Sequence, residues 1–195
     1  MLTLYYRPSC PCSLRVRLVL AEKLLPFSRR VVGEEDSPPE LVELSGGKVP
    51  VIMDGSFAVS DSTVISEYLE DAFARPALRP PDARGRAVIR SAMKRIDTEL
   101  MGPVEEFTEK GRDHGEQAIT AKMHDALSVW EHTHRDNGLL FGMEFSLADA
   151  WLIAALEKAL LAGWELPADF PRLHRWHARM RERASVRTER LMPPA

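Results

Sequence analysis

The feature that most limits what this chain can fold into is the change of character between Arg75-Pro76 and Pro80-Pro81. Before it, short apolar runs alternate with stretches of helical spacing; beyond it, every substantial stretch carries helical spacing. Proline lacks a backbone donor and restricts the residue before it, so neither kind of element runs on through this segment. The sequence therefore divides into residues 1–74, a linker at 75–82 and residues 83–195, an α/β part followed by an all-α part. With 195 residues, 45% of them hydrophobic, each part can bury a core of its own.

In the first part, Leu2 to Tyr6 is a short apolar and aromatic run suited to a buried strand. From Leu14 onward Val16, Val19, Leu20 and Leu24 recur at helical spacing, Arg15, Arg17, Glu22 and Lys23 supply the polar faces, and Pro26 stops the helix. Phe27 to Val32 reads as an edge strand, given Arg29 and Arg30. A loop over 33–39 leads to a short helix over 40–44. Val49-Pro50-Val51-Ile52-Met53 places proline at the mouth of an apolar strand, which suits an edge, a strand start or a cis turn. Asp54-Gly55 is a hairpin signal that pairs 51–53 with 57–59. Either Asp61 or Ser62 caps the next helix, whose stripe is Ile65, Tyr68, Leu69, Ala72 and Phe73. This order predicts an open sheet with mixed strand directions.

Between the first strand and the first helix lies Ser9-Cys10-Pro11-Cys12-Ser13. Pro11 suits the first helical turn, where its missing N–H has no intrahelical acceptor to lose. The Cys10 sulfur then sits where unpaired N–H groups and the helix dipole favour an anion, so a thiolate is stabilised there. Cys10 is thus the candidate for the chemistry. Cys12 is open as a resolving thiol, as a second nucleophile or as packing, and burial as a small hydrophobe is the plain alternative for both. A disulfide between them would close a very tight ring, and none is expected.

In the second part the spacing predicts helices over about 83–110, 117–135, 147–162 and 171–183. Ser146 and Asp149 form a capping-box signal ahead of 150–156, which is apolar nearly all round and should be core. That role accounts for Asp149 without catalysis. Met101 and Phe107 could line a pocket or simply pack, and Trp130 and Trp164 are aromatics of core or pocket.

Charge and composition exclude several functions. A net charge of −3 argues against bulk attraction to nucleic acid or anionic membrane. The arginine-rich 172–190, with His174, Trp176 and His177 interleaved, is read as a solvated helix face. His114, His124, His132 and His134 form no metal signature, so no metal is expected. No apolar run reaches the roughly 20 residues of a membrane span, and the start lacks a signal peptide's charged and apolar regions, so a cytoplasmic location is expected.

Several ordered motifs together resemble the cytosolic glutathione transferase superfamily over nearly the whole chain: the cysteine turn before Arg15-Val16-Arg17-Leu18-Val19-Leu20-Ala21-Glu22-Lys23, then Gly47-Lys48-Val49-Pro50, Asp61-Ser62 with Ile65, and Phe145-Ser146-Leu147-Ala148-Asp149. The resemblance implies a thioredoxin-like domain with a mixed sheet over 1–74, a helical bundle domain over 83–195 that lines the second-substrate pocket, and a homodimer. It also implies that Val49-Pro50 is a cis-proline turn and that Pro11, Lys48, Val49, Pro50, Asp61 and Ser62 bind glutathione as co-substrate. Cys10-Pro11-Cys12-Ser13 looks most like the omega class and glutaredoxins, where such a cysteine forms a mixed disulfide with glutathione, though the dithiol version's second cysteine is absent from position 13. An alignment like the zeta class sets Cys12 in the cysteine position of a serine-rich motif, with glutathione's own thiolate attacking. Glu34-Glu35-Asp36-Ser37-Pro38-Pro39-Glu40-Leu41 and the linker after Tyr68-Leu69-Glu70 also look like stringent starvation protein A, which shares the fold and acts by binding RNA polymerase.

Overall fold

In the computed structural model of this chain, the run Leu2–Tyr6 forms strand β1, burying Leu2, Leu4 and Tyr6 at alternate positions as the strand period requires. Residues 1–33, 37–110, 116–133, 138–142 and 144–193 are described; Glu34, Glu35, Asp36, His114 and His134 fall outside them. Helix α1 (Pro11–Glu22) carries the chain to β2 (Phe27–Val31), which pairs parallel to β1 in register Leu2 with Phe27. Such a parallel pair requires a crossover, and α1 supplies it. After α2 (Pro39–Ser45), β3 (Val51–Asp54) pairs antiparallel with β1, and β4 (Phe57–Ser60) returns antiparallel through Gly55-Ser56, with Gly55 at φ +60°. The sheet order is β2-β1-β3-β4, so β2 is an edge, as its arginines require. Helix α3 (Ser62–Ala72) follows and lies against α1. This is the mixed sheet of a thioredoxin-like domain.

The charged residues of α1 depart from expectation. Arg15, Arg17 and Lys23 are buried, at 2%, 5% and 2% exposure, instead of forming a solvated face. Buried charges need partners, and Lys23 and Arg17 each have a carboxylate. Lys23 Nζ donates to Glu70 Oε1 and to the Pro76 carbonyl, both at 2.7 Å, while Glu70 also accepts from the Leu78 N–H. Arg17 reaches Glu189 at 3.4 Å and the Arg190 carbonyl at 3.1 Å, and its guanidinium lies 5.1 Å from the Tyr6 ring centre. Arg29 pairs with the same Glu189, and the Met192 N–H donates to the Pro8 carbonyl. The chain accordingly forms two compact units, Met1–Leu78 with Thr188–Ala195, and Arg79–Arg187. The last residues, placed by the sequence in the helical domain, fall with the first unit because their carboxylate answers α1 and β2.

The second unit is helical: α4 (Ala83–Arg95), a π-helical segment (Ile96–Met101), α5 (Gly102–Lys110), α6 (Glu116–Thr133), α7 (Leu147–Leu161), α8 (Pro171–Glu182) and α9 (Ala184–Thr188). What the sequence presents as one helix over 83–110 is thus three segments. Pro103 has no N–H for the Glu99 carbonyl, and the backbone widens over the turn before it. Helix α7 is buried from Leu147 through Leu156 and makes the core, with Met101, Phe107, Trp130 and Trp164 also buried. No helix among the described residues is long and apolar enough to cross a membrane.

Candidate active site

Cys10 is the N-cap of α1, with extended backbone at φ −85° and ψ 119°. Its Sγ accepts from the Ser13 N–H at 3.4 Å, one of the donors a helix start leaves without an intrahelical partner. The Ser13 hydroxyl in turn accepts from the Arg7 N–H at 3.4 Å, which closes the turn on itself. The Cys12 thiol is the largest influence holding Cys10 down, from an ordinary 9.0 to about 5, with the Ser13 and Cys12 groups helping and burial opposing. A helix start and a polar turn of this kind favour the thiolate form of Cys10. The Cys12 sulfur also receives Arg15 Nη1 at 3.9 Å, so a buried guanidinium flanks it.

Beside this turn a cavity of about 220 Å³ is lined by Cys12, Ser45, Lys48, Val49, Pro50, Ser60, Asp61 and Ser62. The Val49–Pro50 peptide is cis and sits at the mouth of β3. Gly46 closes α2 in the left-handed region at φ +65°, and Ser45 Oγ donates to the Lys48 carbonyl at 2.6 Å, which fixes the turn bearing Lys48. Asp61, the N-cap of α3, holds φ +74° and accepts from the Thr63 and Val64 N–H groups on Oδ1 at 2.8 and 3.2 Å. An aspartate forced to positive φ stores strain of about 1–3 kcal/mol, which its neighbours must over-determine. Ser62 is buried at the first position of the helix.

The fold thus brings Lys48, Val49, Pro50, Asp61 and Ser62 to one cavity with Cys12. Cys10 and Pro11 do not line it; Cys10 stands at the N-cap of the same first turn. Ser45 and Ser60 are lining residues that sequence reasoning missed. Their signal was slight, a serine opening the Ser45-Gly46-Gly47-Lys48 turn and another immediately before the cap.

The glutathione S-transferase N-terminal domain model matches residues 9–72, and the C-terminal domain model of the same family matches residues 82–184. The chain belongs to the glutathione S-transferase family. Among curated relatives it is 27% identical to glutathione S-transferase 2 of Saccharomyces cerevisiae over 94% of this chain and 87% of that one. It is also 32% identical to the stringent starvation protein A homolog of Pasteurella multocida, over 80% of this chain and 72% of the other. Among solved structures, glutathione transferase Omega 3C from Trametes versicolor superposes with a TM-score of 0.87 at 23% identity, covering 98% of this chain and 90% of that one. This last likeness is one of fold.

Within the family frame, Asp149 is structural. Its Oδ2 accepts from the Ser146 N–H and hydroxyl at 2.9 and 2.6 Å, and its Oδ1 from the Leu140 N–H and Trp176 Nε1 at 3.0 and 2.9 Å. Burial pushes its carboxyl up, and those four donors pull it back. Trp176 is thereby buried, so the arginines of α8 have no exposed tryptophan among them to stack on a base. Among the described residues no group of three or more histidine, cysteine or acidic side chains is placed to hold a metal.

Proposed function

We propose that the chain is a glutathione-dependent thiol transferase whose nucleophile is the Cys10 thiolate. The observation that carries this reading is the Cys10 sulfur at the N-cap of α1, accepting from the Ser13 N–H in the turn whose Cys12 lines the cavity. Glutathione's chemistry fits the lining. Its extended peptide can pair with the Val49 main chain at the mouth of β3. Its γ-glutamyl ammonium finds Asp61 Oδ2, the oxygen the cap leaves free, and its γ-glutamyl carboxylate finds the Ser62 hydroxyl at the N-terminus of α3. Lys48 answers the glycyl carboxylate, and Pro11 fixes the turn.

In the reaction, Cys10 attacks the glutathionyl sulfur of a mixed disulfide, forming Cys10–S–S–glutathione and expelling the substrate thiolate. A second glutathione thiolate then attacks that sulfur and restores Cys10, leaving oxidised glutathione. Cys10→Ser and Cys12→Ser are compared in two assays, reduction of a glutathione mixed disulfide and conjugation to an aromatic halide. Loss of disulfide reduction in Cys10→Ser supports the reading; retention of both activities overturns it.

The likeness to stringent starvation protein A carries a second reading, a non-enzymatic binder of RNA polymerase. Retention on immobilised glutathione separates the two, since failure to bind together with co-purification of polymerase favours the binder. We also propose a homodimer through the faces around α3 and α4, where Val64 and Val88 are exposed, to be checked by sedimentation.

A further inference from the structure

We infer that Cys12 is the resolving thiol of a two-cysteine cycle: it attacks the Cys10–glutathione mixed disulfide, closing a Cys10–Cys12 disulfide and releasing glutathione. The inference rests on Cys10 being the nucleophile, as proposed above. Four observations point to it. Cys12, not Cys10, lines the cavity in which the glutathionyl group of the mixed disulfide would lie. Only Pro11 separates it from Cys10, so both cysteines belong to the first turn of α1. Arg15, 2% exposed, places Nη1 against the Cys12 sulfur at 3.9 Å. Both cysteines are free thiols at half-buried positions, open to exchange.

The protons follow from these contacts. While Cys10 is a thiolate, Cys12 keeps its proton, because two adjacent thiolates would repel. Once Cys10 enters the mixed disulfide its charge is gone, and the Arg15 guanidinium then favours ionisation of Cys12. Cys12 attacks the Cys10 sulfur, the bond to glutathione breaks, and the leaving glutathione thiolate takes up the Cys12 proton. One thiol and one mixed disulfide become one internal disulfide and one glutathione, with no other oxidant or reductant. Two glutathione molecules then return the pair to thiols and leave as oxidised glutathione.

The rearrangement is confined to the first turn of α1. Pro11 has no N–H, and the first intrahelical bond runs only from the Leu14 N–H to the Cys10 carbonyl at 3.0 Å. Little helix must open to swing Cys12 over. The ring it closes is tight, and a strained disulfide is readily reduced, which suits a transient intermediate and not a resting cross-link.

The full chain is treated with oxidised glutathione, quenched with an alkylating agent and read by intact mass and fragment mapping. Wild type is expected to lose two hydrogens across Cys10 and Cys12 with little adduct, whereas Cys12→Ser and Cys12→Ala carry a glutathionyl group on Cys10 at roughly tenfold or greater occupancy, since a neighbouring thiol outcompetes dilute glutathione. Release of glutathione from the preformed adduct should be independent of added glutathione in wild type and first order in it in Cys12→Ser. Equal adduct in wild type and variants, with no linked peptide, overturns the inference. Failure of the Cys12 variants to form any adduct on Cys10 overturns the Cys10 reading itself, and this inference with it.

Discussion

Replacing Cys12 by alanine removes the largest influence holding the Cys10 thiol down from 9.0 to about 5. A pKa near 5 leaves about 99% of a thiol ionised at pH 7, against about 1% at the ordinary value. That hundredfold gain in thiolate does not become a hundredfold gain in attack. Intrinsic nucleophilicity falls with basicity at a Brønsted slope of about 0.4–0.5, which over this range costs roughly 40- to 100-fold. The depressed pKa therefore leaves the neutral-pH attack rate nearly unchanged. What it provides is a good leaving group when Cys10 is released, and a reaction that persists into acid. The assay is alkylation of Cys10 against pH, with the label located by fragment mass. Wild type should hold its rate down to an inflection near 5. Cys12→Ala should move the inflection up, because the largest lowering influence is gone and the opposing burial remains. An inflection that Cys12→Ala leaves in place refutes the role of the Cys12 thiol, and a wild-type inflection in the ordinary thiol range refutes the stabilised thiolate altogether. The same depression makes stability depend on pH: the thiolate's contribution is complete above the unfolded value of 9.0, declines as the pH falls, and is gone below about 5. Melting curves of wild type minus Cys10→Ser should trace that window.

Three further perturbations follow from the contacts. Glu70→Gln leaves the Lys23 ammonium buried without its charge partner, which costs about 3–5 kcal/mol; calorimetry should show the melting midpoint falling by roughly 6–20 °C. Asp61→Asn keeps the cap, so its melting midpoint should hardly move, but it loses the charge offered to an ammonium; glutathione retention should weaken by about tenfold or more. Glu189→Gln removes the carboxylate shared by Arg17 and Arg29 and should destabilise by about 3 kcal/mol, measured by urea unfolding, while speeding tryptic cleavage after Arg190.

Much of the fold is legible in the residues because it rests on local rules. The strand period of Leu2–Tyr6, the hairpin signal at Asp54-Gly55 and the Ser146–Asp149 capping box each act within a few residues, and the structure has all three. Arg15, Arg17 and Lys23 were not legible as buried groups. A helix wheel records polarity, whereas burial of a charge depends on a partner elsewhere, and Glu70 and Glu189 lie 47 and 172 residues from Lys23 and Arg17. The break over Ile96–Met101 has a local cause in Pro103 that helical spacing does not reveal.

The sequence by itself placed Cys10 at a helix start just before Pro11, and the structure has it there as the N-cap with its sulfur accepting from the Ser13 N–H, because capping and the orphan donors of a first turn are set by neighbours in the chain. Only the tertiary structure decided that Cys12 is the thiol at the cavity, with Arg15 against it and Lys48, Val49, Asp61 and Ser62 around it. Those residues come from separate loops, and their meeting depends on the sheet order, which brings together in space what the chain keeps apart.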